Sequence, residues 1–387
     1  MPTVAQAAPA RPARVASIDI VRGVAMVLMA VDHVRVYSGV PAGGPSAGVF
    51  LTRWITHFCA PVFVFLAGTS AYLLARRLVA DAGGADPRAA LARYLVTRGL
   101  LLVLLELTVI RASWTFGVDY STFVLAGVIW MLGGCMVLMA GLVWLPLWAS
   151  GALGLALIAG QDVLRGLPSH WVTQLLYLGG EIQIGAGPSV SVLYTLLPWA
   201  GVMAAGYAFG AIVTREPAER RRWCLGIGLG GTALFVVLAA LSIAASPPAG
   251  DGPPAWMQLL NQRKYPASLL FLLMTLGPAI ALLPLVDRTR GPVSRMFETF
   301  GRVPMFYYLL HIPLIHGVSL LVWKIRDGVT HGDWFATAPY VFVPPEHRWS
   351  LPLLYLVFAA VVAMLYPACR WYARYRKAHP DGWPRYI

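Results

Sequence analysis

Residues 17–35, SIDIVRGVAMVLMAVDHVR, form an apolar run long enough to cross a bilayer, yet they hold Asp19, Arg22, Asp32 and His33. Ionisable side chains cost about 2.5–3.5 kcal/mol each at the centre of a membrane helix, so they face a protein interior or a water-filled cavity. At about 100° per residue, Asp19, Arg22, Met26 and His33 fall within roughly 80° of arc, and Asp32 points about a quarter-turn away from His33. With a rise of about 1.5 Å per residue, Arg22 and His33 lie about 16 Å apart along the axis. That is about half of a hydrocarbon core roughly 30 Å thick. A neutral imidazole takes a proton from a hydroxyl or amine and returns it, which is general-base chemistry. A guanidinium on the same face holds phosphate or carboxylate. The stripe reads as the wall of a site or pathway inside a membrane. The competing reading is a helix-packing histidine and a snorkelling arginine.

Other stretches carry groups of the same kind. In TRWITHFCAPVFVFLAG, residues 52–68, Arg53, Thr56 and His57 share one face, and Pro61 predicts a kink. In GRVPMFYYLLHIPLIH, residues 301–316, Pro304, Tyr308 and His311 stack on one side, where phenol and imidazole can share a bond that orients the ring; Pro313 predicts a bend beyond them. Lys264, at the mouth of KYPASLLFLLMTLGP, is placed to meet an anionic group, or only to anchor its helix at lipid head groups. Glu106 is a carboxylate inside an apolar stretch and predicts either an arginine partner or a proton. Arg98 and Arg302 mark the same end of the bundle as Asp19 and Arg22.

The elements that must position these groups are helices. Of 387 residues 58% are hydrophobic and 12% charged, about half the charged fraction of a soluble globule. The expected fold class is an all-α, polytopic membrane helix bundle, since lipid offers no partner to an unpaired backbone group. Ten stretches are long and apolar enough to span: 18–40, 53–76, 95–115, 122–143, 145–162, 192–213, 224–245, 266–287, 303–323 and 351–370. Of the 30 Lys and Arg, twenty fall on one side of that alternation and nine on the other, with Arg22 inside the first span. This asymmetry predicts both termini in the cytoplasm. The +13 charge sits in short clusters between apolar runs, so no nucleic-acid partner is expected. Cys59, Cys135, Cys224 and Cys369 make no CxxC pair, and no metal site is expected. Residues 1–16 read as a disordered basic leader, 17–371 as the transmembrane domain and 372–387 as a basic cytoplasmic tail. The longer outer loops, 163–191, 246–265 and 324–350, either form a lid over a site or only connect helices.

Asp19, Arg22, Gly23, Ala25 and His33, in the pattern D-x-x-R-G-x-A followed by the histidine, resemble the opening signature of membrane acyltransferases that O-acylate bacterial envelope polysaccharides. Residues 14–70 as a whole are more similar to the catalytic domain of heparan-alpha-glucosaminide N-acetyltransferase and its bacterial relatives, as are RVPMFYYLLHIPLIH and KYPASLLFLLMTLGP. The resemblance implies a transmembrane acyltransferase of ten or eleven helices in a bacterial plasma membrane. It would move an acyl group, usually acetyl, from cytoplasmic acyl-CoA to a sugar or glycolipid acceptor at the outer face. The chain departs from that pattern after the first span: VYSGVPAGGPSAG holds no histidine where the lysosomal enzyme has its catalytic one, and Asp32 stands in place of a nearby asparagine.

The resulting assignment makes His33 the general base, assisted by Asp32, His57 or His311. Arg22, Arg98 and Arg302 would hold the phosphates of acyl-CoA, and Arg53, Tyr308 and Lys264 would bind the acceptor. A single chamber joining arginines to histidines is expected, and a homo-oligomer is compatible with the reading. A proton-coupled transporter of a small anionic solute uses the same polar stripe and stands as the alternative. A catalytically silent assembly or sensing protein stands behind both.

Overall fold

The computed structural model describes residues 15–44, 46–81, 86–121, 123–245, 252–379 and 382. Most of the expected leader, residues 1–14, lies outside them. The chain runs α1 (Ala16–Ser38), α2 (Ala47–Trp54), a 3-10 turn (Ile55–Phe58), α3 (Cys59–Asp81), α4 (Arg88–Leu105), a π-turn (Glu106–Ile110), α5 (Arg111–Thr115), β1 (Phe123–Ala126), α6 (Val128–Leu142) and α7 (Leu147–Gly160). It continues through α8 (Trp171–Thr173), β2 (Gly180–Gln183), β3 (Ser189–Val192), α9 (Leu197–Val213), α10 (Pro217–Ala245), α11 (Ala255–Leu260), α12 (Leu269–Val286), α13 (Pro292–Arg302), α14 (Pro304–Asp327) and α15 (Leu351–Ala378).

The protein is a multi-pass helical membrane bundle. Among the described residues, six helical segments are long and apolar enough to cross a membrane: 47–80, 147–166, 217–245, 269–286, 304–327 and 351–378. α6 and α9 are apolar but shorter. Leu100 and Leu104 on α4, Leu229, Val237 and Leu241 on α10, and Leu356 on α15 all point outward. Lipid, not water, suits such a surface. The division expected between the fourth and fifth stretches falls between Leu142 and Leu147.

Several elements differ from those expected of the sequence. The start of the expected fourth span is not helical: Phe123–Ala126 is a strand, parallel to β3, which in turn pairs antiparallel with β2. The sixth stretch likewise begins in β3 and turns helical only at Leu197. Residues 292–302, counted as a connecting loop, form α13, and the expected tail continues α15 as far as Ala378. The irregularity tied to Pro61 lies just upstream of it, in the 3-10 turn Ile55–Phe58, because the missing proline N–H leaves the His57 carbonyl without its helical partner. Of the two alternatives for Glu106, the arginine partner is not found among the described residues; its buried Oε2 accepts from the backbone N–H of Ile129 at 2.7 Å and of Trp130 at 3.1 Å. These are the open amides at the start of α6, a position where the helix dipole favours a carboxylate.

α1 sits inside the bundle, against α3, α12, α13, α14 and α15. Its closest neighbour is α13, and the approach depends on two reciprocal glycines. A Cβ on Gly23 would stand 1.9 Å from the Phe297 carbonyl oxygen, and one on Gly301 would stand 1.8 Å from the Asp19 carbonyl oxygen. The α3–α9 crossing repeats the device, with Gly68 against the Met203 carbonyl at 2.0 Å and Gly206 against the Phe65 carbonyl at 2.1 Å. Helices in lipid gain nothing by hiding apolar surface from water, so close backbone packing through small residues supplies the association.

This packing makes a testable distinction between glycines. Gly301→Ala should destabilise the detergent-solubilised protein by about 1–3 kcal/mol, as overpacking does. Gly226→Ala on α10, where an added Cβ meets nothing within 4 Å, should not lower the melting temperature. Equal melting temperatures for the two variants, read by size-exclusion thermostability, would contradict the close α1–α13 crossing.

Candidate active site

A cavity of about 370 Å³ opens at one end of the bundle, a size suited to a small-molecule site. Five arginines line it, each from a different helix: Arg22 on α1, Arg77 on α3, Arg98 on α4, Arg302 on α13 and Arg376 on α15. The three arginines expected to bind an anion are therefore brought together. Arg77 and Arg376 join them, and only their basic character at the same end pointed that way.

Several of these guanidiniums are held in place by neighbours. Arg22 donates to Ser70 Oγ at 2.8 Å, to the Gly301 carbonyl at 3.2 Å and to Asp19 Oδ1 at 3.4 Å, so it ties α1 to α3 and α13. Arg98 donates to the Tyr94 hydroxyl at 3.1 Å. Arg302 pairs with Glu298, and its carbonyl accepts from Arg376 at 2.9 Å. Away from this basic mouth the walls turn apolar, through Met26, Met29, Leu102 and Met305, and they end at Tyr308.

The imidazoles stand beyond that end wall. His33 Nδ1 and His311 Nε2 are 2.7 Å apart, and His311 Nδ1 is 2.6 Å from the Tyr308 carbonyl oxygen. The proton positions follow from the acceptor at the end of the chain. A carbonyl only accepts, so Nδ1 of His311 carries the hydrogen and its Nε2, in the neutral ring, presents a lone pair. His33 Nδ1 must then donate to it. The remaining nitrogen of His33, Nε2, is left with a lone pair, and no group bonds it among the described residues. This is the tautomer a general base requires. The edge of Trp114 and the stacked ring of His311, each with its centroid 4.8 Å from that of His33, hold the ring in this orientation.

The other assigned residues form a second group. Asp32 faces away from His33, as its helical phase predicts, and accepts from Arg35 at 3.0 Å and from Arg53 at 3.4 Å. Arg53 also donates to Thr56 Oγ1 at 3.1 Å. Lys264 is buried with its ammonium 5.7 Å and 5.2 Å from the ring centres of Tyr194 and Tyr265. His57 sits edge-on to Phe271, and its buried Nδ1 has no partner among the described residues. It does not join the histidine pair. His316, the fourth histidine of this half, stacks on Phe116 and Tyr37, with Nδ1 3.2 Å from the Ser113 carbonyl, a satisfied packing role.

Among the assigned residues, Arg22, Arg98, Arg302 and Tyr308 line the cavity, whereas His33, Asp32, His57 and His311 do not. The expected single chamber is thus divided. The partition is thin: Met29 and Tyr308 line the cavity, and His33 and His311 follow them about one turn further along α1 and α14.

No curated protein matches the chain. A family model described as heparan-alpha-glucosaminide N-acetyltransferase, catalytic, matches residues 14–243, which run from the start of α1 to near the end of α10 and include Arg22, His33 and Arg98 but not Tyr308 or His311. Because that match covers more than half of the 387 residues, the chain belongs to the heparan-alpha-glucosaminide N-acetyltransferase catalytic family, a family of membrane acetyltransferases.

Proposed function

We propose that the protein is an acyl-CoA-dependent membrane acyltransferase that moves an acetyl group to a hydroxyl or amine of a sugar or glycolipid. The observation that carries this reading is the hydrogen-bonded order Tyr308 carbonyl, His311, His33, which leaves Nε2 of His33 as a basic lone pair one helical turn from an arginine-lined cavity. The five guanidiniums suit the phosphates of CoA, because guanidinium–phosphate hydrogen bonds are charge-assisted and often bidentate. The apolar end of the cavity suits the pantetheine arm and brings the thioester to the Met29–Tyr308 partition.

On this reading His33 Nε2 removes the proton from the acceptor O–H or N–H as that atom attacks the thioester carbonyl. A C–O or C–N bond forms, the C–S bond breaks, and the proton passes to the departing CoA thiolate. His311 is a positioning residue: it holds the tautomer of His33 and shares the positive charge that develops on it. Arg53 and Lys264, on the histidine side of the partition, are the groups we assign to the acceptor. The excess of basic residues at the arginine end supports placing the donor and both termini in the cytoplasm, with ten spans and the acceptor at the outer face of a bacterial plasma membrane.

In lipid nanodiscs, His33→Ala should lower the rate of radiolabelled acetyl transfer by roughly 10²–10⁴-fold while calorimetric binding of acetyl-CoA stays within about threefold of wild type. His311→Ala should lower kcat less and leave KM near its wild-type value. Accumulation of a solute in proteoliposomes under a proton gradient, with no acetylated product, would favour the transporter instead.

Arg98→Gln and Arg376→Gln should each weaken acetyl-CoA binding by about tenfold or more, the worth of one lost hydrogen bond to a charged group. The same variants should leave the binding of S-acetylpantetheine, which lacks the nucleotide phosphates, unchanged. Equal losses for both ligands would remove the arginines from phosphate recognition.

A further inference from the structure

Asp327, His331 and His347 lie outside both the cavity and the histidine pair. Asp327 ends α14; Gly328 follows in the left-handed conformation, at φ 76°, and closes the helix with its N–H on the Lys324 carbonyl. The chain then reverses, so that His331 returns onto Asp327 with its Nε2 3.0 Å from Oδ2. His347, on the far arm of the same loop, places Nδ1 2.8 Å from that same oxygen. The candidate ligand atoms of the three residues all lie within 4.8 Å of one another.

We propose that these three side chains form a divalent transition-metal site of the zinc class. Two imidazole nitrogens and one carboxylate oxygen are the donor types that zinc takes, at about 2.0–2.2 Å each. Tetrahedral bonds of that length put neighbouring donors about 3.3 Å apart, so the present 3.0 and 2.8 Å separations need to widen by only a few tenths of an ångström. Three protein ligands leave a fourth position, and the partial exposure of the Asp327, His331 and His347 side chains, 14%, 18% and 38%, gives an ion and a water access to it.

The surroundings hold the ligands in this geometry. His331 adopts a left-handed backbone, φ 50°, which few non-glycine residues take, and its ring stacks flat on Trp334 with centroids 3.9 Å apart. Arg326, next to Asp327 in the chain, directs Nη1 to the His347 carbonyl at 3.1 Å, which fixes the backbone of the second histidine ligand.

A bound ion would staple residues 328–350 to the end of α14. That segment carries Phe335, which packs on Tyr37 and His316, and Val343, which lies against Gly39 at the end of α1. Such an ion would clamp the loop that covers the end of α1 bearing His33, with water in its fourth position.

The test uses untagged full-length protein in nanodiscs, stripped with a chelator and reloaded with Zn²⁺ or Co²⁺ alone. Wild type should take up one ion per chain by elemental analysis, show the intense ligand-field bands of tetrahedral Co²⁺, and melt at a higher temperature with Zn²⁺ than without. Asp327→Asn, His331→Gln and His347→Gln should each lose tenfold or more in affinity, with metal-free melting temperatures close to that of stripped wild type. His379→Gln, at a histidine outside the cluster, should bind as wild type does. Sub-stoichiometric uptake by wild type, or affinity unchanged in the His331→Gln and His347→Gln variants, would overturn the proposal.

Discussion

The carbonyl oxygen of Tyr308 constrains the chemistry of the bundle more than any ionised group does. It can only accept, and so it dictates which nitrogen of His311 is protonated, and through that which nitrogen of His33 is basic. Two rings from helices far apart in sequence are thereby set in one tautomeric state without a carboxylate between them. A carboxylate next to His33 would invite a permanent imidazolium, and Asp32 is kept from that role by Arg35 and Arg53. The charged cluster and the neutral pair are neighbours in the chain but form separate hydrogen-bonded groups.

The arrangement depends in turn on how closely α1 can approach its partners. Gly23 and Gly301 remove the side chains that would hold α1 and α13 apart, and the crossing brings the Gly301 carbonyl within reach of Arg22. The same contact sets the neighbouring Arg302 at the cavity mouth, while Val303 begins the turn into α14 that delivers Tyr308 and His311. One close contact between backbones thus fixes the position of the arginine end and, one helix later, of the imidazole end. Moving either glycine would disturb both.

The sequence made the membrane bundle, the polar stripe of α1 and the direction of Asp32 legible because each follows from local periodicity and composition. That Arg22, Arg98 and Arg302 gather at one end of the bundle was also legible, since the alternation of spans and loops places them there. Arg77 and Arg376 were not, because their convergence comes from how α3 and α15 pack, which no spacing encodes. For Glu106 the amides that open α6 were not legible, since a helix N-terminus leaves no mark on the residue that caps it from a distance. Asp327, His331 and His347 were invisible for a related reason: two lie either side of a chain reversal and the third returns from sixteen residues further on. The strand at 123–126 was hidden by apolar composition, which suits a short buried strand as well as a helix.

The partition between cavity and histidines bears on what the site can do. An open, wetted passage from the arginines to His33 would give water the same access to a thioester as the acceptor has, and it would join the two faces of the membrane by a proton path. Met29 and Tyr308, a thioether and a phenol, stand at this partition. They also sit one turn from the groups they screen, on the same two helices, so a small rotation of α14 would move Tyr308 and His311 together. For an acyltransferase this coupling has a direct use. Displacement of the tyrosine ring by the arm of a bound donor would admit the thioester to the lone pair of His33 only when the donor is present, and the barrier against hydrolysis would be removed by the substrate it protects.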